Sequence, residues 1–415
     1  MVTFSLIAAA LAVCDIAIAH PGENASAEQV KRDMTSYRHA HQHMRRAMSS
    51  CANSPPVVAR QQRAVARRSE TARRLREQRG IFRDDSYSSP VKRDEADLRK
   101  WAAKSHKVVD TNYDPSTPSN IIFAGNASCA LVEETTIGPY FVSGELMRRN
   151  VTEGQKGVPL HLDIQFISTS NCAPVKDMII DVWHSNATGV YSGVNATGQG
   201  GLGSNFCRGV QVTDADGVVE FDTVFPGHYA GRANHIHVLS TRDAKALLSK
   251  QTYEGGVATH IGQLFFDRDL VTAVERLDPY RSNGQEFIDL LQDEIAKAAA
   301  TADYDVLMDY QMLGGALSDG VLAWITVGVN VSANYNDQAP PAAHFTGSRT
   351  SGQVDGSSSA LLSTPTATTT SAAGTPDSGT PVSSPTPASG AIKRSALPSF
   401  FVCLLGLSAS CMVVF

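Results

Sequence analysis

The stretch Phe225–Val238 concentrates residue types that bind metals and catalyse reactions, namely Tyr229, Arg232, His235 and His237. In an extended strand, alternate side chains share a face at ~3.3 Å per residue, so the two imidazoles would lie roughly 6.5 to 7 Å apart and could converge on one ion. A His-x-His pair by itself also fits two half-exposed polar positions on an ordinary strand. The residues around the pair therefore have to favour one interpretation.

A second stretch, Met178–Val194, favours the metal interpretation. It reads as an apolar strand followed by a turn that presents Tyr191. Together with Tyr229 this makes two phenols and two imidazoles. Phenol has a pKa of ~10 and ionises near neutral pH only where a strong Lewis acid lowers that value. Such donors suit a hard trivalent ion such as iron(III), whereas structural zinc sites favour thiolates and imidazoles.

These motifs resemble a known family, the intradiol ring-cleaving dioxygenases, and specifically their secreted fungal branch. The resemblance spans about residues 127–334 and its pieces occur in the family's order. They are CALVEETTIGPY, VWHSNATGVYS, DADG, PGHYAGRANHIHV and GQLFFD. It implies a non-haem iron(III) site, Fe(3+), with Tyr191 as the equatorial tyrosinate, Tyr229 as the axial tyrosinate, and His235 and His237 as the remaining ligands.

The same resemblance implies roles for the neighbouring residues. Tyr229 would also act as general base, and Arg232 would stabilise negative charge on the substrate, although a surface salt bridge is the alternative for this arginine. Gln263 would line the substrate pocket. Tyr140 would line it too, or else pack against a turn after Gly-Pro.

The implied reaction cleaves the ring of a catechol-type compound between its two hydroxylated carbons, uses O2, and gives a muconate-type dicarboxylate. The implied partners are a small aromatic diol and O2, with no nucleic acid.

Two alternative functions stay open. One is a non-enzymatic cell-surface glycoprotein that uses the same sandwich as a binding module, and the other is a copper enzyme built on a mature N-terminal His20. The sequence predicts neither the particular catechol nor an oligomeric state.

The elements that must position these residues read as mainly β structure. From Val158 the string VPLHLDIQFI alternates apolar residues on one face, which places His161 on the exposed face. A strand pair is predicted to turn at Asp214–Gly217, a helix over Glu286–Ala300, and a last strand near Leu322–Val331. These elements predict an antiparallel β-sandwich with a few helices and long loops over residues 119–337, with disordered termini.

The two chain ends predict where the protein works. Residues 1–19 read as a signal peptide, and residues 391–415 as a GPI-anchor signal with Ser389 or Gly390 as the acceptor. A retained C-terminal membrane helix is the alternative. Residues 338–390 are rich in Ser, Thr and Pro and predict a disordered stalk. Six Asn-x-Ser/Thr sites fit secretion, so we expect a secreted or cell-surface glycoprotein whose contact with a membrane is its anchor.

Residues 20–118 are basic, although the whole chain carries a net charge of −5. Within them Val57–Arg79 contains good helix formers and predicts a solvated helix, and the dibasic pair Lys92-Arg93 makes part of the region a possible propeptide.

Four cysteines, at 51, 129, 172 and 207, lie outside the signal and tail, and an oxidising compartment predicts two disulfides, with Cys172 paired to Cys207 as the preferred arrangement.

Overall fold

The computed structural model describes residues 51, 53–81, 97–107, 129–130, 140–300 and 305–345. All of them belong to one unit, Met1–Leu361. The predicted signal peptide, the anchor signal, most of the stalk, His20 and Lys92-Arg93 lie outside these residues. No helix in the described part of the chain is both long and apolar enough to cross a membrane.

The described residues form thirteen strands and four α-helices, joined in places by short 3-10 turns. The strands are β1 (Cys129–Ala130), β2 (Val142–Ser143), β3 (Pro159–Ser168), β4 (Ile179–Trp183), β5 (Arg208–Val212), β6 (Val218–Val224), β7 (His235–Arg242), β8 (Lys245–Leu247), β9 (Thr252–Glu254), β10 (Val257–Phe265), β11 (Asp309–Met312), β12 (Val321–Val329) and β13 (Ala343–His344). The helices are α1 (Pro55–Gln78), α2 (Asp97–Ala102), α3 (Arg268–Glu275) and α4 (Glu294–Ala299).

Two sheets form the body of the fold. One has five strands in the order β1-β12-β3-β6 with β11 beside β12, and the other has four in the order β10-β7-β4-β5. In the first sheet β12 runs parallel to β3 and to β1, and every other neighbouring pair in the two sheets is antiparallel. The predicted mainly β fold is confirmed, with parallel pairs at the centre of one sheet.

The main hydrophobic core lies between these sheets, as expected for a sandwich. Both sheets contribute alternate side chains to it, which include Leu160, Leu162, Ile164 and Phe166 of β3, Val219 and Phe221 of β6, Ala323 and Ile325 of β12, Ile180 and Val182 of β4, Ile236 and Val238 of β7, and Leu264 of β10. The predicted alternation along β3 is confirmed. The side chains between these positions point away from the core, toward α1 or toward the candidate site.

The turn at Asp214–Gly217 forms, but the strand pair predicted around it is wrong. Asp214 Oδ1 accepts hydrogen bonds from the backbone of Asp216 and Val218, and Gly217 has a φ of +75°. The flanking strands do not pair, because β5 joins β4 in one sheet and β6 joins β3 in the other. The chain therefore crosses between sheets here, and alternation alone does not distinguish such a corner from a hairpin.

The single helix predicted over Glu286–Ala300 is also wrong. A 3-10 turn at Leu290–Gln292 is followed by the separate short helix α4. Asp289 and Asp293 each accept hydrogen bonds from backbone N–H groups that follow them. Each aspartate therefore caps the N-terminus of a separate helical segment. The predicted last strand is confirmed as β12.

The helix α1 packs on the outer face of the five-stranded sheet, so the prediction of a solvated helix is wrong. One face of it is buried, and this face consists of Val57, Arg60, Ala64, Arg68, Thr71, Ala72 and Leu75. Arg67 and Arg68 donate to Asp163 of β3, with N–O distances of 2.7 and 3.3 Å. In the sequence the arginines of this helix indicate a solvent-exposed face, but in the structure they pair with carboxylates of the sheet.

The same helix explains why His161 of β3 is buried rather than exposed as predicted. Its Nδ1 lies 2.7 Å from Asp222 and its Nε2 lies 3.4 Å from Glu220. Burial alone would lower the pKa of His161, but the hydrogen bonds to Asp222 and Glu220 raise it above its ordinary value. The outer face of this sheet is therefore a buried layer of paired charges.

The disulfide joins Cys51 to Cys172, with their Cα atoms 6.0 Å apart, and Cys207 is a free, buried thiol. The preferred Cys172–Cys207 pairing is therefore wrong, and so is the expectation that all four cysteines would pair. The reason is that α1 packs across the sheet, which brings residue 51, just before the helix, to the loop after β3. The side chain of Cys129 lies outside the described part of the structure.

Candidate metal centre

Strand β7 positions the two histidines. His235 and His237 point to the outer face of the four-stranded sheet, because Ile236 between them is buried in the core on the other side. In the register of the sheet, His237 lies directly between Trp183 of β4 and Gln263 of β10. The predicted alternation of this strand is what places both imidazoles on one face.

The four predicted metal donors come together on this face. His235 Nε2 lies 3.1 Å from His237 Nε2 and 3.2 Å from Tyr229 Oη. The Tyr191 ring lies edge-on to its neighbours, with its centroid 5.5 Å from that of Tyr229 and 6.2 Å from that of His237. All four side chains are at most 4% exposed. Residues separated by up to 46 positions along the chain therefore converge on one buried point, which we call the metal focus.

The phenols have the properties of metal ligands. Burial raises the pKa of Tyr191 and of Tyr229 well above the ordinary value. The Tyr191 hydroxyl lies near that of Tyr229 but makes no hydrogen bond of ordinary geometry with the described residues. A buried polar atom without such a bond is costly, and a hard cation at the focus would accept its oxygen as a ligand. The donor set therefore fits iron(III).

The two phenols are essential to this interpretation. Among the described residues, no group of three or more His, Cys, Asp or Glu side chains is arranged to hold a metal ion. A two-histidine site needs further donors, and the tyrosines are the side chains that the fold brings there.

Neighbouring groups fix the orientation of the histidines. His235 Nδ1 lies 2.6 Å from the carbonyl oxygen of Ala233, which accepts its proton and leaves the Nε2 lone pair facing the focus. The indole of Trp183 stacks on His237 with the ring planes 6° apart. Sequence reasoning did not assign Trp183 a role. The available signal was the alternation of β4, which buries Ile180 and Val182 in the core and so places Trp183 on the opposite face.

Arg232 lies inside the site, so the alternative of a surface salt bridge does not apply. Its Nε donates to Asp293 Oδ2 at 2.8 Å, its Nη2 donates to Gln263 Oε1, and its Nη1 lies 3.4 Å from Tyr229 Oη. Burial alone would lower the pKa of Arg232, but the charge of Asp293 raises it. The guanidinium therefore remains charged beside the phenol.

Asp293 is a site residue that sequence reasoning missed. Its Oδ2 accepts from Arg232 and from the Ala233 backbone at 2.8 Å, and its Oδ1 accepts from the backbone of Ile295 and Ala296 at 2.9 Å. One carboxylate thus starts α4 and holds the arginine. The available signal was the helix-capping position of an aspartate before EIAKAA, but its ion-pair partner is 61 residues away.

The two predicted pocket residues contact different members of this cluster. Tyr140 packs on Tyr191 with a centroid distance of 4.9 Å. Gln263 is fully buried beside His237, and its Oε1 is engaged by Arg232. The structure therefore brings together all seven predicted site residues, and it adds Trp183 and Asp293.

Comparisons with known proteins point to one group. Residues 137–307 match a family model, Dioxygenase_C, described as "Dioxygenase". The curated chlorocatechol 1,2-dioxygenase of Pseudomonas sp. (strain P51) is 29% identical over 140 residues, which cover 29% of this chain and 54% of that protein. The chain therefore spans about half the length of this curated relative.

Solved structures of similar chains include an intradiol ring-cleavage dioxygenase from Tetranychus urticae. It is 26% identical to this chain, the match covers 50% of this chain and 98% of that chain, and the TM-score is 0.42. Another is the catechol 1,2-dioxygenase of Acinetobacter sp. ADP1, inhibited by bound mercury, with 17% identity, 48% and 63% of the two chains covered, and a TM-score of 0.33.

Proposed function

We propose that this chain is an intradiol ring-cleavage dioxygenase and that it cleaves the ring of a catechol-type compound with O2. The proposal is supported by the match of residues 137–307 to a dioxygenase family model and by the similarity to a chlorocatechol 1,2-dioxygenase. In this reaction the bond between the two hydroxylated carbons breaks, and both oxygen atoms of O2 enter the product, which carries two carboxylates. The observation that carries the proposal is the convergence of Tyr229, His235 and His237 within 3.2 Å, with Tyr191 against them.

Tyr191, Tyr229, His235 and His237 would hold iron(III). When bound, the ion would supply Lewis acidity that favours the ionised form of a catechol and its reaction with O2.

Tyr229 is the residue best placed to take a proton from the substrate. It lies in the segment that leads into β7, and its oxygen lies next to His235 and Arg232. As an anion it could accept a catechol proton and leave the focus as a neutral phenol. Because all four donors are buried, such a displacement would also give the substrate access to the site.

Arg232 and Gln263 would bind and orient the substrate. The guanidinium is held by Asp293 on the side away from Tyr229, so it presents fixed positive charge where negative charge would develop on the aromatic ring. Gln263 carries a side-chain nitrogen that makes no hydrogen bond within the described residues and lies beside His237. This N–H group is available to a substrate oxygen.

We also propose that the enzyme is extracellular, a member of the secreted fungal branch, and attached to the cell surface by a GPI anchor. The support is the sequence of both chain ends together with the glycosylation motifs. Two of these motifs, at Asn195 and Asn330, lie at exposed positions, whereas Asn186 is half-buried.

Purified full-length secreted protein loaded with ferric iron tests the activity. We expect a visible tyrosinate-to-iron charge-transfer band and consumption of one O2 per catechol, measured with an oxygen electrode and a panel of catechol, hydroxyquinol, protocatechuate and methylated analogues. A colourless iron-loaded protein that consumes no O2 with any of them would contradict the proposal and would favour the non-enzymatic binding module.

A further inference from the structure

Arg208 is a buried cation for which the proposed chemistry has no use. It begins β5, and its side chain is 1% exposed. Its Nε and Nη2 donate to the carbonyl oxygen of Ser192 at 3.0 and 2.7 Å, and its Nη1 donates to the carbonyl oxygen of Tyr140 at 2.7 Å. One planar guanidinium therefore joins two chain segments that are far apart in sequence.

These two segments carry the aromatic rings on the Tyr191 side of the site. Ser192 directly follows Tyr191, and the ring of Tyr140 packs on that of Tyr191. The Arg208 guanidinium carbon itself lies 6.0 Å from the centre of the Tyr191 ring. The position of each ring is thus coupled to the same cation through a backbone carbonyl.

The loop around Arg208 has no regular structure of its own to fix Tyr191. Between the end of β4 and the start of β5 there is neither a strand nor a helix. The loop packs closely on the arginine, because a Cβ at Gly193, where φ is +69°, would lie 3.3 Å from Arg208 Nε. Ser192 Oγ also lies 3.0 Å from Nε. The hydrogen bonds of Arg208 therefore restrain the residue after Tyr191, while the backbone of Tyr191 itself is held by Gln199 Oε1 and by the N–H of Gly200, each at 2.7 Å.

The charge of Arg208 also faces Tyr191 with little compensation. Its nearest carboxylate, Glu145, lies 4.0 Å from Nε. Burial raises the pKa of Glu145 to about 7, so near neutral pH this group is only partly ionised. Arginine stays protonated at any such pH, so a fixed positive charge lies 6.0 Å from the centre of the Tyr191 ring.

We infer that Arg208 is a positioning residue for the Tyr191 ligand: its guanidinium fork sets the arrangement of Tyr191 and Tyr140 and so aims the Tyr191 oxygen at the metal focus. The inference rests on the proposed function for its catalytic consequence, but the arrangement of the two rings can be measured independently of activity.

The test compares Arg208→Lys, which keeps the charge and loses the fork, with Arg148→Lys as a matched control. Arg148 is a neighbouring, mostly buried arginine that also donates to backbone carbonyls, those of Asn205 and Arg208, and it touches neither tyrosine. Crystal structures of both iron-free variants give the Tyr140–Tyr191 centroid distance. The iron-loaded variants give the charge-transfer maximum, kcat and KM.

We expect Arg208→Lys to lengthen the ring separation, to shift the charge-transfer maximum and to lower kcat on the order of 10- to 100-fold, the cost of a misplaced reacting group. KM should change less, and Arg148→Lys should resemble the unmodified protein in every readout. If Arg208→Lys does not fold, Ser192→Ala replaces it, since it removes one acceptor of the arginine and should shift the band in the same direction by a smaller amount.

Unchanged ring separation in Arg208→Lys, or the same shift in Arg148→Lys, would overturn the inference. If the unmodified protein shows no band with iron, the proposed function fails, and the iron-free structures still decide the role of Arg208.

Discussion

The indole of Trp183 stacks on the imidazole of His237, with the ring centroids 4.9 Å apart and the planes 6° apart. The two residues are cross-strand partners on β4 and β7. A flat aromatic surface against one face of the imidazole restricts its rotation, which keeps its Nε2 directed at His235 and the metal focus. The strand register thus supplies orientation as well as proximity.

Replacing Trp183 tests this relationship. Trp183→Phe keeps an aromatic face and removes an indole N–H that has no hydrogen-bond partner among the described residues, so we expect little change in iron affinity. Trp183→Ala should weaken iron binding by roughly 10- to 100-fold, the usual cost of losing a group that orients a ligand. Competition with a ferric chelator measures both. Equal affinities for the two variants would show that stacking does not orient His237.

Tyr229→Phe should separate catalysis from metal binding. The variant keeps the ring but loses the oxygen that would accept the substrate proton, so we expect kcat to fall by about 10²- to 10⁴-fold while iron remains partly bound through the other three donors. His235→Ala should instead lose most of the iron. Turnover and iron content are measured on the same samples, and unchanged turnover in Tyr229→Phe would refute the role of that phenol.

Asp293→Asn should destabilise the fold and impair the site together. The substitution leaves the buried guanidinium of Arg232 without its counter-charge, and breaking such a pair costs about 3 to 5 kcal/mol. We expect a lower free energy of unfolding and a lower kcat/KM, measured by urea denaturation and by oxygen uptake.

Asp289→Asn is the control for that experiment. Asp289 also caps a turn and also pairs with an arginine, Arg268, but both side chains are about a third exposed or more. An exposed pair contributes roughly 0 to 1 kcal/mol, so this variant should retain its activity. Equal losses in both variants would indicate a capping effect rather than a role for the buried charge.

His106 should make stability depend on alkaline pH. Its Nε2 lies 2.6 Å from Asp305 and its Nδ1 lies 3.5 Å from Asp267. Burial alone would lower the pKa of His106, but hydrogen bonds to Asp267 and Asp305 raise it to about 9. Because the folded pKa exceeds the unfolded value of ~6.5, the stabilisation is fully present below pH ~6.5 and is lost as pH rises through about 9.

The size of this effect follows from linkage and is about 3 kcal/mol. Urea unfolding at pH 6 and pH 9.5 should show a loss of stability in the unmodified protein that is smaller in His106→Gln by about this amount. Since every other titratable group is the same in both proteins, the difference between them isolates His106. Parallel pH profiles would contradict the assignment.

Removing the disulfide should destabilise the packing of α1. Cys51→Ser opens a covalent loop whose ends are 121 residues apart, and the loss of a native disulfide typically costs 2 to 5 kcal/mol. Cys207→Ser changes a free thiol and should leave the disulfide in place. Thermal melting and peptide mapping under non-reducing conditions check both. A mapped Cys172–Cys207 peptide would contradict the observed pairing.

Local patterns predicted the parts of the site that are close in the chain. The alternation around Ile236 placed His235 and His237 on one face, and the alternation along β3 identified the core-facing residues. These periodicities follow from strand geometry and need no knowledge of distant contacts. The strand and turn over Met178–Val194 indicated Tyr191 as a further donor, and the resemblance to a family then supplied its role and added Gln263 to the site.

Contacts between distant segments could not be predicted in this way. Asp293 and Arg232 carry complementary charges, but the chain has many such pairs and no local signal connects these two. The burial of His161 depends on α1, whose arginines read as solvated because their carboxylate partners belong to strands far along the chain. The packing of α1 across the sheet also explains why Cys172 pairs with Cys51.

The bond between Cys51 and Cys172 bears on the fate of the dibasic pair Lys92-Arg93, which the sequence marks as a place where a protease could cut. This pair falls inside the covalent ring that the bond closes. A cut there would yield a nicked, two-chain molecule rather than release the segment upstream of it. The arm that contains α1 would stay tethered to the β-sandwich by the disulfide as well as by its own packing.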